Sequence, residues 1–126
     1  MRTLLWTVQV LLAAVFLAHG LLLLFPPASI VDQMNASLAR WFQLFIGISE
    51  LLAAVGLTLP GITRIQPWLV PFSAAGLMFV MISATVFHLT RGEVSSAVTT
   101  AVLLVLLTFV AYMRWRVMPI RPRIAA

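Results

Sequence analysis

The chain has 126 residues, of which 63% are hydrophobic and 9% charged, with a formal net charge of +5, against about 45–50% apolar and 25% charged residues in an average soluble domain. One core of this size cannot hide so much apolar surface from water, which argues against a soluble fold and puts the excess against lipid or other helices. With no cysteine, disulfides, thiol redox centres and Cys-ligated metal or iron–sulfur sites are excluded.

A transmembrane helix needs about 20 mostly apolar residues. Four segments qualify: 3–25, 41–59, 68–89 and 94–115. They predict an all-α, integral-membrane four-helix bundle occupying the whole chain as one domain. The first run ends at Pro26-Pro27, the second at Pro60-Gly61 and the third at the tight Arg91-Gly92 connection, all residues that break or turn a helix. Pro67 and Pro71 fall around the first turn of the third helix, where a missing backbone donor is tolerated. Trp6, Trp41, Trp68 and Trp115 each sit near an end of a different segment, the interfacial depth that indole rings favour.

All eight basic residues are arginines, and their placement predicts orientation. With the N-terminus in the cytoplasm, Arg2, Arg64, Arg114, Arg116, Arg121 and Arg123 lie inside, and Arg40 and Arg91 outside. This six-to-two bias predicts cytoplasmic termini. The charge therefore serves topology, and nucleic acid is not an expected partner, because no basic stripe interleaved with aromatics is present. The basic tail, 116–126, is expected to lie on anionic lipid, as the arginines from Arg114 onward suit a surface worth about 1 kcal/mol per basic residue. Ala18-His19-Gly20 resembles a signal-peptidase site, but the apolar run continues through Phe25 and is long enough to span.

The outer loop, 26–40, carries Ile30, Val31, Met34 and Leu38 at helical spacing, with Ser29 or Asp32 available as a cap. A short interfacial helix there would cover a pocket mouth; a plain connection is the alternative. Asn35-Ala36-Ser37 matches a glycosylation acceptor, a pattern short enough to arise by chance.

Glu50 lies near the midpoint of the second segment, where an ionised carboxylate costs about 3 kcal/mol. Gln43, Gly47, Glu50 and Ala54 recur at four- and three-residue steps, forming a polar, small-residue face that belongs inside the bundle. At about 1.5 Å per residue, His19 falls about 9 Å and Glu50 about 14 Å below the outer ends of their helices. Contact between them is feasible. His88, close to the outer end of the third helix, lies less directly within reach, and Thr85, Ser95, Ser96, Thr99 and Thr100 add hydroxyls in the same half. Membrane hydroxyls usually bond back to their own helix.

Two histidines on separate helices could hold a haem if both rings lay at one depth, but no motif accompanies them. A carboxylate and histidines around an apolar cavity would instead hydrogen-bond a small apolar or quinone-like molecule or a lipid, which needs fewer coincidences. The ligand-binding candidates are thus His19, Glu50 and His88, with Arg91 and Glu93 at the pocket rim. No metal site and no catalytic motif is identifiable. A non-enzymatic structural or assembly subunit, in which these groups only hold helices or dock a partner, is the alternative. A proton-coupled transporter is a further one, although four helices without an inverted repeat are few for alternating access.

From Gly47 to Glu93 the chain resembles the DoxX-like family of small bacterial membrane proteins. The resemblance is carried by Glu50-Leu-Leu-Ala-Ala-Val-Gly-Leu-Thr-Leu-Pro-Gly61, by Gly76-Leu-Met, and by Ala84-Thr-Val-Phe-His88-Leu-Thr-Arg91-Gly92-Glu93. It implies an inner-membrane four-helix bundle. Relatives are associated with quinone-linked sulfur oxidation and with membrane complexes that handle oxidative stress, so the resemblance implies a redox association, with other subunits or further copies as partners. Phe16–Leu21 departs from the family pattern, lacking the lysine that many relatives place after the glycine of the first helix.

Overall fold

The computed structural model describes residues 1–124; Ala125 and Ala126, the last two residues of the predicted tail, lie outside the described residues. The chain runs α1 (Arg2–Leu24), α2 (Val31–Ser37), α3 (Arg40–Thr63), α4 (Leu69–Thr90) and α5 (Val94–Tyr112), and α5 continues into a π-helical turn, Met113–Val117. Four of these, α1, α3, α4 and α5 with its π turn, are long and apolar enough to cross a membrane. One end of the bundle, the terminal end, carries Met1, the α3–α4 connection and the described residues that follow α5; α2 and the α4–α5 turn lie at the other.

Helix α1 packs chiefly on α3 and α4 on α5; α3 joins the two pairs, while α1 touches α5 more sparingly. The α1–α3 pair is close because two glycines face each other. A Cβ on Gly20 would lie 2.9 Å from the Gly47 carbonyl oxygen, and one on Gly47 would lie 3.0 Å from that of Gly20. In lipid, where apolar surface gains little by leaving one hydrocarbon for another, such backbone contact is a main source of helix association. On α3 the buried residues are Gln43, Gly47, Glu50, Ala54, Leu57, Pro60 and Gly61, so the face expected from Gln43 to Ala54 points into the bundle and continues to the terminal end.

The core thickens toward that terminal end. Leu5, Leu57, Leu77, Leu107 and Val110 are fully buried there, whereas the half of α5 nearer α2 contributes only Ala97. The half of the bundle nearer α2 is therefore thinner, and polar residues hold it together.

Helix ends follow from local chemistry. Pro26 and Pro27 cannot donate to the carbonyls of Leu22 and Leu23, and Phe25 leaves the helical region (φ −128°, ψ 67°), as a residue preceding proline does. Arg40, opening α3, replaces the donor lost at Leu23 and also caps the next carbonyl: Nη1 bonds the Leu23 carbonyl and Nη2 the Leu24 carbonyl, both at 2.7 Å. A cation at a helix C-terminus also suits the dipole. Gly92 (φ 72°) makes the α4–α5 turn, a conformation that only glycine adopts without cost.

Three details differ from the expectations above. The second helix does not stop at Pro60-Gly61 but continues to Thr63, closing on Arg64 in the left-handed region (φ 59°). Both residues are buried there; Gly61 admits Trp6 and Ile120, either of which would lie within 2.9 Å of an added Cβ. Ser73 of α4 packs on Gly56, the residue whose carbonyl loses its helical donor at Pro60. Second, α2 forms over the spacing expected of it, but no side chain caps it; Ser29 and Asp32 do not serve. Third, Arg114 is not part of a free basic tail. It is buried in the bundle, and the segment beyond it folds back, with Arg64 bonding the carbonyls of Arg121 and Pro122 and accepting the Arg123 amide at 2.7 Å.

Candidate functional site

One turn from the Gly20–Gly47 contact, His19 of α1 reaches Glu50 of α3, with Nδ1 and Oε2 2.7 Å apart. The exposure of the two partners is unequal: the Glu50 side chain is 0% and that of His19 50% accessible. A buried carboxylate is thus backed into the helix interface behind a half-open imidazole. The bond uses Nδ1, which makes Nε2 the ring nitrogen left for another molecule. If the pair holds one proton, Nε2 accepts a hydrogen bond; if it holds two, with the imidazole cationic, Nε2 donates. The second carboxylate oxygen, Oε1, is buried and has no hydrogen-bond partner among the described residues.

Two turns away on the same face of α3, Gln43 organises the α2 cover at this end of the bundle. Its Nε2 reaches the carbonyls of Leu38 at 2.7 Å and Met34 at 3.2 Å and the Asn35 side chain at 3.1 Å, while Oε1 accepts from Arg40. Helix α2 is thereby tied to the face that carries Glu50. On the opposite pair, Thr85 of α4 and Thr100 of α5 share a hydrogen bond of 2.8 Å, whereas Thr99 turns back to the Ser95 carbonyl.

His88, Arg91 and Glu93 form a separate cluster at the α4–α5 turn. His88 Nδ1 and Arg91 Nε lie 3.3 and 3.0 Å from the same oxygen, Oε1 of Glu93, and Arg91 also reaches Ser37 at the end of α2 (3.4 Å). Among the described residues no hydrogen bond or ion pair joins this cluster to His19 and Glu50. Of the five sequence-predicted site residues, the structure therefore brings together His19 with Glu50, and His88 with Arg91 and Glu93. The His88 imidazole, followed by the Arg91 guanidinium, holds the Glu93 carboxyl below its ordinary value of 4.5. Because the folded value is the lower one, the turn's stabilisation is present above 4.5 and fades as pH falls toward the folded value. Protection of the Gly92 and Glu93 amides, taken relative to the unstructured-chain exchange rate at each pH, is expected to fall on acidification into that window, and in Glu93→Gln to lose this dependence.

A third polar group was not foreseen. At the terminal end Gln9 of α1, fully buried, donates from Nε2 to the Leu57 carbonyl and accepts Arg114 Nε at 2.9 Å, while the Arg114 guanidinium lies over the Trp6 ring, 5.0 Å from its centroid. The available signal was Gln9 itself, the single amide inside the first span, where an unpaired polar group is costly.

A model of the DoxX-like family matches residues 7–110. The chain belongs to that family. No curated protein and no solved structure matches it. The DoxX-like match takes in His19, Glu50, His88, Arg91 and Glu93 and ends short of Arg114.

Proposed function

We propose that this DoxX-like protein uses its His19–Glu50 pair to hydrogen-bond a small apolar, quinone-like molecule arriving sideways from the bilayer, as part of a redox-associated complex of the bacterial inner membrane. The observation that carries the reading is the asymmetry of the pair: a fully buried carboxylate behind an imidazole that is half open. Such a pair exchanges a proton at Nε2 without exposing the carboxylate, which suits a carbonyl that alternates with a hydroxyl. The thinner, polar half of the bundle around it supports lateral access. The Arg91–Glu93 cluster and α2 would border that half. The arginine distribution orients it toward the outer face, with both termini cytoplasmic.

The second reading, a structural or assembly subunit, is favoured by the position of the pair beside the Gly20–Gly47 contact, where a 2.7 Å bond also ties two helices. Titration of decyl-ubiquinone into the protein in nanodiscs, followed through the His19 imidazole ¹⁵N signals, separates the two. Glu50→Gln keeps a hydrogen-bonding side chain of the same shape, and is expected to weaken binding at least tenfold, about the worth of one charge-assisted hydrogen bond, with little change in thermal stability. Equal affinity of the two proteins, or no response in either, would count against the pocket; loss of recovery of an intact complex without a binding change would favour the subunit.

A further inference from the structure

The terminal end holds a buried charge that no acidic side chain balances. Arg114 is 5% exposed, and a guanidinium does not shed its charge. Its Nε is bonded to Gln9 and its Nη1 to the Met118 carbonyl (3.2 Å), both neutral partners, and the Trp6 face offers only a ring quadrupole. Nη2 is buried with no hydrogen-bond partner among the described residues. The chain has three acidic side chains: Asp32 on α2 and Glu93 at the α4–α5 turn lie at the other end, and Glu50 faces His19. Removing a lone ion from water costs several kcal/mol unless an opposite charge meets it. Among the described residues no anion meets it.

The chemistry of a matching anion can be read from the walls. Arg114 is among the residues lining a cavity of about 270 Å³, with Trp68, Pro71, Trp115, Pro119 and Ile120, a surface mostly of rings and alkyl groups beside the buried cation. A free inorganic anion would leave those walls unmatched, whereas an amphiphile satisfies both. The cavity lies at the interfacial depth marked by Trp68 and Trp115, both largely exposed, where headgroups meet acyl chains. We propose that Arg114 anchors an anionic phospholipid, the guanidinium turning its unpartnered Nη2 toward the cavity to meet a phosphate oxygen, with the start of the acyl region lying against Trp68, Pro71 and Ile120. This site is independent of the His19–Glu50 pair and differs from diffuse attraction to a basic tail, because it is specific to one arginine.

Quenching of tryptophan fluorescence by brominated-chain lipids tests it on the full chain in detergent micelles. Phosphatidylglycerol is expected to quench at about tenfold lower concentration than phosphatidylcholine, the worth of one charge-assisted contact. That preference should vanish in Arg114→Gln, persist in Arg114→Lys, and persist in Arg116→Gln, which removes an exposed arginine two residues away. Inorganic phosphate at matched ionic strength should leave the quenching in place. Equal quenching of the native chain by both lipids would overturn the proposal whether or not Arg114→Gln folds, as would a preference that survives Arg114→Gln or follows Arg116. Displacement by inorganic phosphate would overturn the assignment to a lipid.

Discussion

Replacing His19 by leucine is expected to cost more stability than replacing His19 and Glu50 together. The single change leaves the Glu50 side chain, 0% accessible, without the 2.7 Å partner of Oε2, and Oε1 already has none among the described residues. Breaking a buried pair by removing one member costs about 3–5 kcal/mol, whereas replacing both by apolar groups is often neutral or favourable. Because His19 is half open, the low end, about 3 kcal/mol, is expected. Thermal unfolding in one detergent, followed by far-ultraviolet circular dichroism, gives the comparison for His19→Leu, Glu50→Leu and the double variant. A double variant no more stable than His19→Leu would mean that Glu50 is satisfied by something other than His19.

The second large effect is expected at Gly47. A single added Cβ would stand 3.0 Å from the Gly20 carbonyl oxygen and 3.2 Å from Leu23 Cβ, so leucine has no room unless α1 withdraws from α3. Overpacking costs about 1–3 kcal/mol and occasionally more. The upper part of that range is expected, because the obstacle is backbone and cannot rotate away. The same separation pulls His19 from Glu50. Gly76→Leu is the matched control, since a Cβ there would meet nothing within 4 Å. Equal unfolding temperatures for the two variants would show that the glycine contact does not hold the pair.

How much of this was legible in the sequence depended on the range of each interaction. The four spans were, because lipid demands long uninterrupted apolar runs and the chain supplies four. The buried face of α3 was, because Gln43, Gly47, Glu50 and Ala54 repeat with the period of a helix. Depth made contact between His19 and Glu50 feasible, and the helical period of α3 turned Glu50 inward to meet it. His88 lies near the end of α4 at the α4–α5 turn, but depth says nothing of direction, and Glu93, five residues on, takes its hydrogen bond. Continuation of α3 through Pro60-Gly61 was not legible, since Pro-Gly ordinarily ends a helix and only Trp6 and Ile120, distant in sequence, fill the space beside it. Nor was the burial of Arg114, which reads locally as one of several tail arginines and turns inward because Gln9 awaits it.

The bond between Gln9 and Arg114 spans 105 positions, nearly the length of the chain, and this imposes an order on biogenesis. The first helix enters the membrane before its guanidinium partner has been synthesised, with an amide that must find a temporary hydrogen bond in lipid or in the insertion machinery. Nor can α1 settle at its other end until Arg40 has been made. The segment that closes α5 therefore acts as a latch: only when Arg114 arrives does the Gln9 side-chain carbonyl oxygen gain its donor, and a chain truncated before it is expected to be held by that machinery, or degraded, as an unfinished bundle.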